Sequence, residues 1–135
     1  MIKFLGDINL TGFYMKNFDV LSEWVTTHYK STNKMSRASH FECNDINMYV
    51  KVQYELLAGV ATKVISIDSL YTNPGKMSNG LFTSFIIELE KLAASLGAVV
   101  YVNSVINERL SRFFQRRNYL IQYPEYEVFC YYKQF

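Results

Sequence analysis

Two apolar strand runs with an amphipathic helix between them constrain this chain more than any other feature. Val64-Ile65-Ser66-Ile67 is β-branched and sits in a longer strand candidate, Val60 to Thr72, with a break expected near Thr62-Lys63. Leu81, Phe82, Phe85, Ile86, Leu89, Leu92, Ala93 and Leu96 then recur at helical spacing as one continuous stripe. Gly97 is placed to close that helix, and Ala98-Val99-Val100-Tyr101-Val102 reads as a buried strand. Strand, helix, Gly, strand is the order of an α/β unit. The turn into the helix, Asn73-Pro74-Gly75-Lys76-Met77-Ser78-Asn79-Gly80, is small and polar. A strand, a small-residue turn and a helix N-terminus make an anion cradle, because the first-turn amides point outward and the helix dipole favours negative charge there.

Around that unit the periodicities place a first helix over 18–29, carrying Phe18, Leu21, Trp24, Val25 and His28, with Asn17 or Asp19 as its cap. Residues 30–38 are polar and small and read as a loop. Strands follow at 39–43 and at Met48 to Glu55, with a turn at Asn44-Asp45. A third helix begins at Asn107 with Leu110, Phe113 and Phe114 on its apolar side. Tyr119 to Phe135 reads as a hairpin turning at Pro124-Glu125. The expected order is helix, three strands, helix, strand, helix, two strands. That makes an α/β (α+β) chain with one domain over 1–135.

With 135 residues, half of them apolar, the chain has the length for one genuine core. A net charge of +2 gives no reason to expect nucleic acid as a partner. No apolar run approaches the roughly 20 residues that span a bilayer, so no membrane is expected. Met1 to Gly6 is cut short by Asp7 and does not read as a secretory segment. Cys43 and Cys130, far apart and without metal-ligand spacing, read as reduced thiols in a cytoplasmic protein. Asp45, Asp68, Glu88 and Glu90 do not form a metal-binding spacing, and no metal is expected. Glu88 and Glu90 are expected to face solvent.

Of the two histidines, His28 reads as an interfacial helix residue, and His40 is a candidate for the wall of an acceptor cleft. Arg109, Arg112 and Arg116 share one helical face with Arg117 beside them, as for a phosphate, a nucleic-acid backbone or an acidic partner. The plainer reading, a solvated face ion-paired to Glu108 or other neighbours, is preferred. The Tyr-rich tail (Tyr119, Tyr123, Tyr126, Tyr131, Tyr132) reads as sheet packing, with room for a homodimer contact or one wall of the acceptor site.

From Val64 to Tyr119 the chain resembles the GNAT superfamily of acyl-CoA-dependent N-acetyltransferases. Leu70, Thr72, Pro74 and Gly80 match the register of its Leu-x-Val-x-Pro-x-x-Arg/Gln-x-x-Gly-x-Gly/Ala motif. Asn107, Leu110, Phe113, Phe114, Arg116, Asn118 and Tyr119 fall in its second motif, Asn-x-x-Ala-x-x-Phe/Leu-Tyr-x-Lys-x-Gly-Phe, without a gap. The chain looks like the short members encoded by tailed bacteriophages. The resemblance implies a mixed, strongly twisted central sheet of about six to seven strands flanked by helices.

It further implies acetyl-CoA as co-substrate and a primary amine, on a small molecule or a protein lysine, as acceptor. The backbone of Leu70, Tyr71 and Thr72 would pair with the pantetheine where one strand splays from its neighbour. The amides of Ser78, Asn79, Gly80, Leu81 and Phe82 would hold the pyrophosphate, and Asn107 the pantetheine arm. Met77 stands at the family's Arg or Gln, Phe82 at its second small residue, and Asn118 at a Gly that often takes positive φ. Phe114 stands at the Tyr that in many members protonates the departing thiolate, a step that would here fall to solvent, Tyr71 or Tyr119. Ser66 occupies the place of a frequent Glu base, and Asp68, two residues on along the same side of the strand, is the candidate base acting through a water. The alternative function is a non-catalytic GNAT-fold module, used for binding or as an accessory part of a virion.

Overall fold

Asn44 and Asp45 both take left-handed backbone, with φ 53° and 71°, and turn strand β1 (Arg37–Cys43) back as β2 (Ile46–Leu57). Two consecutive positive φ values make the hairpin turn whose twist matches its strands, and Asn and Asp tolerate that region. Ala58 and Gly59 do the same, at φ 48° and 81°, between β2 and β3 (Val60–Thr72). The structure, a computed structural model, describes residues 17–72, 80–105, 108–122 and 129–135.

Helix α1 (Phe18–Lys30) precedes the hairpins, and α2 (Leu81–Leu96) leads from β3 to β4 (Val99–Val105). Helix α3 (Glu108–Arg116) is followed by β5 (Leu120–Gln122) and β6 (Phe129–Gln134). The element order is the one expected from the sequence. The turn assigned to Pro124-Glu125 lies outside the described residues.

The strands form one mixed sheet in the order β1-β2-β3-β4-β6-β5. Only β3 and β4 pair in parallel, as an α-helical crossover requires, and the other neighbours are antiparallel. Leu21 and Val25 of α1, Phe85, Ile86 and Leu89 of α2, and Phe114 of α3 bury one face of this sheet over Val50, Ile65, Ile67, Val100 and Val102. The α2 stripe is therefore core, as its spacing predicts. Gly97 closes α2 with φ 62°, and the amides of Gly97 and Ala98 return to the carbonyls of Ala94 and Ala93. Asn118 closes α3 in the same way, with φ 69° and the Tyr119 amide on the Phe114 carbonyl.

The second face curls. Gln122, on edge strand β5, donates from Nε2 to the Leu56 carbonyl of β2 at 2.7 Å and accepts from the Tyr101 hydroxyl. A smaller apolar cluster of Leu57, Val64, Val99 and Tyr101, backed by Cys130 and Tyr132, fills the concavity at that end.

Two local expectations fail for identifiable reasons. Strand β3 runs unbroken through Thr62-Lys63, because Lys63 donates from Nζ to the carbonyls of Tyr29 and Ser31 and so caps the C-terminus of α1. Asn17 stands at the N-terminal boundary of α1, but its side chain donates to the Glu42 carbonyl at 3.3 Å instead of capping the helix.

Candidate active site

Strands β3 and β4 pair only from Val64/Val99 to Ile67/Val102. Both continue further, β3 to Thr72 and β4 to Val105, without pairing to each other among the described residues. A bulge lies on each side of that parting. In β3 the register slips by one residue between Asp68, opposite Tyr49, and Tyr71, opposite Asn47, and Ser69 takes φ 51°. In β4 it slips between Val102, opposite Tyr131, and Val105, opposite Phe129. An extra residue bends its strand and increases local twist, so two bulges at one level turn neighbouring strands apart. The opening exposes the β4-facing edge of Leu70, Tyr71 and Thr72, the three residues assigned to the pantetheine.

Helix α2 begins beyond that edge. Gly80 takes φ 81°, and among the described residues a Cβ added there would meet nothing within 4 Å. The Gly80 carbonyl accepts from the Ser84 amide at 2.8 Å, which leaves the first-turn amides, including Leu81 and Phe82, without an intrahelical acceptor. Phe82 turns away from this end. Its ring lies edge-on to Phe113 at 5.1 Å and to Phe114 at 6.2 Å, joining the core of α2 and α3. Gly80, Leu81 and Phe82, three of the residues assigned to the pyrophosphate, form the described N-terminal boundary and first turn of α2. Met77, Ser78, Asn79 and Asn107 lie outside the described residues.

On the concave face, just inside the parting, Ser66 and Asp68 form one polar unit. Ser66, fully buried, donates from Oγ to Asp68 Oδ1 at 3.1 Å. Lys51, across on β2, places Nζ 3.0 Å from Asp68 Oδ2 and 6.0 Å from the centre of the Tyr49 ring. Asp68 therefore has both of its oxygens engaged, one by a hydroxyl and one by an ammonium. Tyr71 is exposed on β3, and His40 is exposed on β1 opposite Tyr49. Cys130 donates from Sγ to Asn103 Oδ1 at 3.2 Å, which ties β6 to the bulge of β4.

Other candidates are drawn elsewhere. Tyr119 donates its hydroxyl to Glu90 at 2.9 Å, and burial beside that carboxylate pushes its pKa well above the usual phenol range. A phenol held this way is a structural donor and not a source of protons for a thiolate. Glu90, expected to face solvent, is buried and also accepts from Arg117 Nε at 3.1 Å and from its terminal nitrogen. The sequence carried one hint of this, since position 90 follows directly on the apolar stripe residue Leu89. Glu88 does stay near the surface, 3.3 Å from Lys91, and Arg112 pairs with Glu108 at 2.8 Å on the exposed side of α3. Phe114 is fully buried, stacked 5.9 Å from Tyr131, whose hydroxyl bonds Ser111 and Gln115. His28 packs on Trp24 at 4.7 Å.

No family model and no curated protein matches the chain by sequence. Solved structures match it in shape. A protein from Agrobacterium tumefaciens assigned as an acetyltransferase superposes with TM-score 0.52 at 11% identity, over 87% of this chain and 88% of that one. KacTA, solved in a complex with DNA, gives TM-score 0.49 at 11% identity, over 86% and 79%. Arabidopsis thaliana Naa50, solved with the bisubstrate analogue CoA-Ac-MVNAL, gives 0.47 at 13% identity, over 88% and 93%. The first of these, with the strand order, shows a GNAT-type fold. At 11% identity the likeness is one of architecture.

Proposed function

We propose that this chain is an acyl-CoA-dependent N-acetyltransferase that moves an acetyl group from acetyl-CoA to a primary amine. The observation that carries the proposal is the parting of β3 from β4 after Ile67/Val102, with the N-terminus of α2 at Gly80 beyond it. The exposed edge of Leu70 to Thr72 suits an extended amide-bearing arm, and the α2 amides suit its phosphates. The donor supplies an activated thioester. The chain's own work is positioning: it aligns the reacting atoms and excludes alternative poses. Asp68, held by Ser66, is the group at the inner end of the opening that can accept a proton from an ammonium. Phe114 has no proton to give, so the departing thiolate takes its proton from solvent or from the exposed Tyr71. The acceptor class, a small amine or a protein lysine, is left to an acceptor screen.

A thermal melt with and without acetyl-CoA tests this reading. At a hundredfold over the dissociation constant, a ligand that binds only the folded chain adds about 2.7 kcal/mol, on the order of 10 °C for a domain of this size. No shift at millimolar acetyl-CoA or CoA would sink it. The buried Phe114, at the position where the family places its Tyr, favours a second reading: a GNAT-fold module that binds without catalysing. A shift with CoA and no turnover across an amine screen would select that alternative.

A further inference from the structure

Among the described residues, Lys51 is the primary amine placed against Asp68. Its Nζ lies 3.0 Å from Asp68 Oδ2, the other carboxylate oxygen is held by Ser66, and the Tyr49 ring flanks the ammonium at 6.0 Å. Asp68 immediately precedes the bulged Ser69, so this ion pair sits where β3 begins to leave β4. A carboxylate and an aromatic ring around an alkylammonium are the contacts an amine acceptor needs in order to be oriented and deprotonated. The chain has put its own lysine in that place. Lys51 comes from β2, opposite Ser66, so its Cα is fixed by the sheet register and only its side-chain stem is flexible.

We infer that Lys51 is an acetylation site of this chain, modified in cis by the donor bound between β3 and β4. The inference rests on the acetyltransferase reading. In the step, Asp68 takes one proton from the Lys51 ammonium and passes it to solvent. The free amine attacks the thioester carbonyl, an N–C bond forms and the C–S bond breaks. A second proton from the nitrogen ends on the CoA thiolate. The products are Nε-acetyl-Lys51, CoA thiol and one released proton, with no oxidant or reductant needed. Acetylation removes the charge that neutralises Asp68, so the modified chain presents an uncompensated carboxylate at the same spot.

The test compares two acetyl donors on the folded chain by site-resolved peptide mass spectrometry. Acetic anhydride has no binding site here and reads plain amine reactivity. It should modify the exposed Lys34 faster than Lys51, whose ammonium is held by Asp68. Acetyl-CoA should invert that order, acetylating Lys51 at least about tenfold faster than Lys34, and Asp68→Asn should abolish the inversion. Lys51→Arg keeps the ion pair, should melt as the parent does, and should leave no other site in its place. A melting shift with acetyl-CoA but no inversion overturns the inference and leaves the acetyltransferase reading standing. No shift and no inversion overturns both.

Discussion

The rings of Phe82 and Phe113 meet edge-on at 5.1 Å, at an interplanar angle of 63°, and join the first turn of α2 to α3. This contact directs the Phe82 ring into the core, at a position where the resemblance expects a small residue. It has an energetic signature. Phe82→Ala removes a half-buried ring from a cluster that includes Phe114, and it should cost about 2 kcal/mol, below the cost for a fully buried Phe. Urea unfolding would measure this, and a loss under about 0.5 kcal/mol would mean the ring is not part of the core.

Gly80 tests the cradle itself. Its φ of 81° strains any residue with a β-branch, while no described residue lies within 4 Å of an added Cβ. Gly80→Val should therefore keep the fold, at a cost of about 1–2 kcal/mol, and lose the acetyl-CoA melting shift. Gly80→Asn, which tolerates left-handed backbone, should retain it. Equal shifts in the two variants would remove the α2 N-terminus from the binding site.

Glu90 is the hub that ties α2 to the end of α3. Glu90→Ala leaves the Arg117 guanidinium and the buried Tyr119 hydroxyl without their acceptor, and should cost about 3 kcal/mol. Tyr119 also predicts an alkaline limit. Its folded pKa lies above the ordinary phenol value of 10.0, so its stabilisation is fully present below pH 10 and is lost as pH rises beyond it. Tyr119→Phe should flatten the fall in stability above pH 10 in denaturation series, and an unchanged slope would refute the assignment.

Cys43 and Cys130 should separate by reactivity. Burial pushes the Cys43 thiol up to about 11 from 9.0, so at pH 8 it is protonated as well as inaccessible. Native alkylation should label the half-buried Cys130 first, with Cys43 reacting only on unfolding. Since the folded value is the higher one, the stabilisation from a neutral Cys43 is complete below pH 9 and lost between pH 9 and about 11. Equal labelling of both thiols at pH 8 would contradict the buried placement.

Ala58 is a correctable defect. It holds φ 48° in the β2–β3 turn, a region that penalises an ordinary side chain, next to Gly59 at φ 81°. Ala58→Asn creates the Asn-Gly pair such turns favour and should add about 0.5–1 kcal/mol, read as a higher melting temperature. A lower melting temperature would show that the turn is not of this kind.

Much of the chain was legible because its signals are local. The α2 stripe, the stop at Gly97 and the turn at Asn44-Asp45 depend on residues within a turn or two of one another. The Ala58-Gly59 turn was less legible, since Ala carries no preference for positive φ. Ser66 and Asp68 could be placed on one side of a strand because strand side chains alternate with a period of two, and the structure joins them at 3.1 Å. Tertiary structure alone decided what meets them. Lys51 reaches Asp68 only through the β2–β3 register, and Arg117 reaches Glu90 across 27 residues of sequence. The opening between β3 and β4 belongs to the same class. It follows from two bulges in strands whose local sequence reads as continuous, and a bulge is defined by pairing to a neighbour. The chain thus encodes its elements residue by residue, while the candidate site forms where separate elements fall out of register with one another.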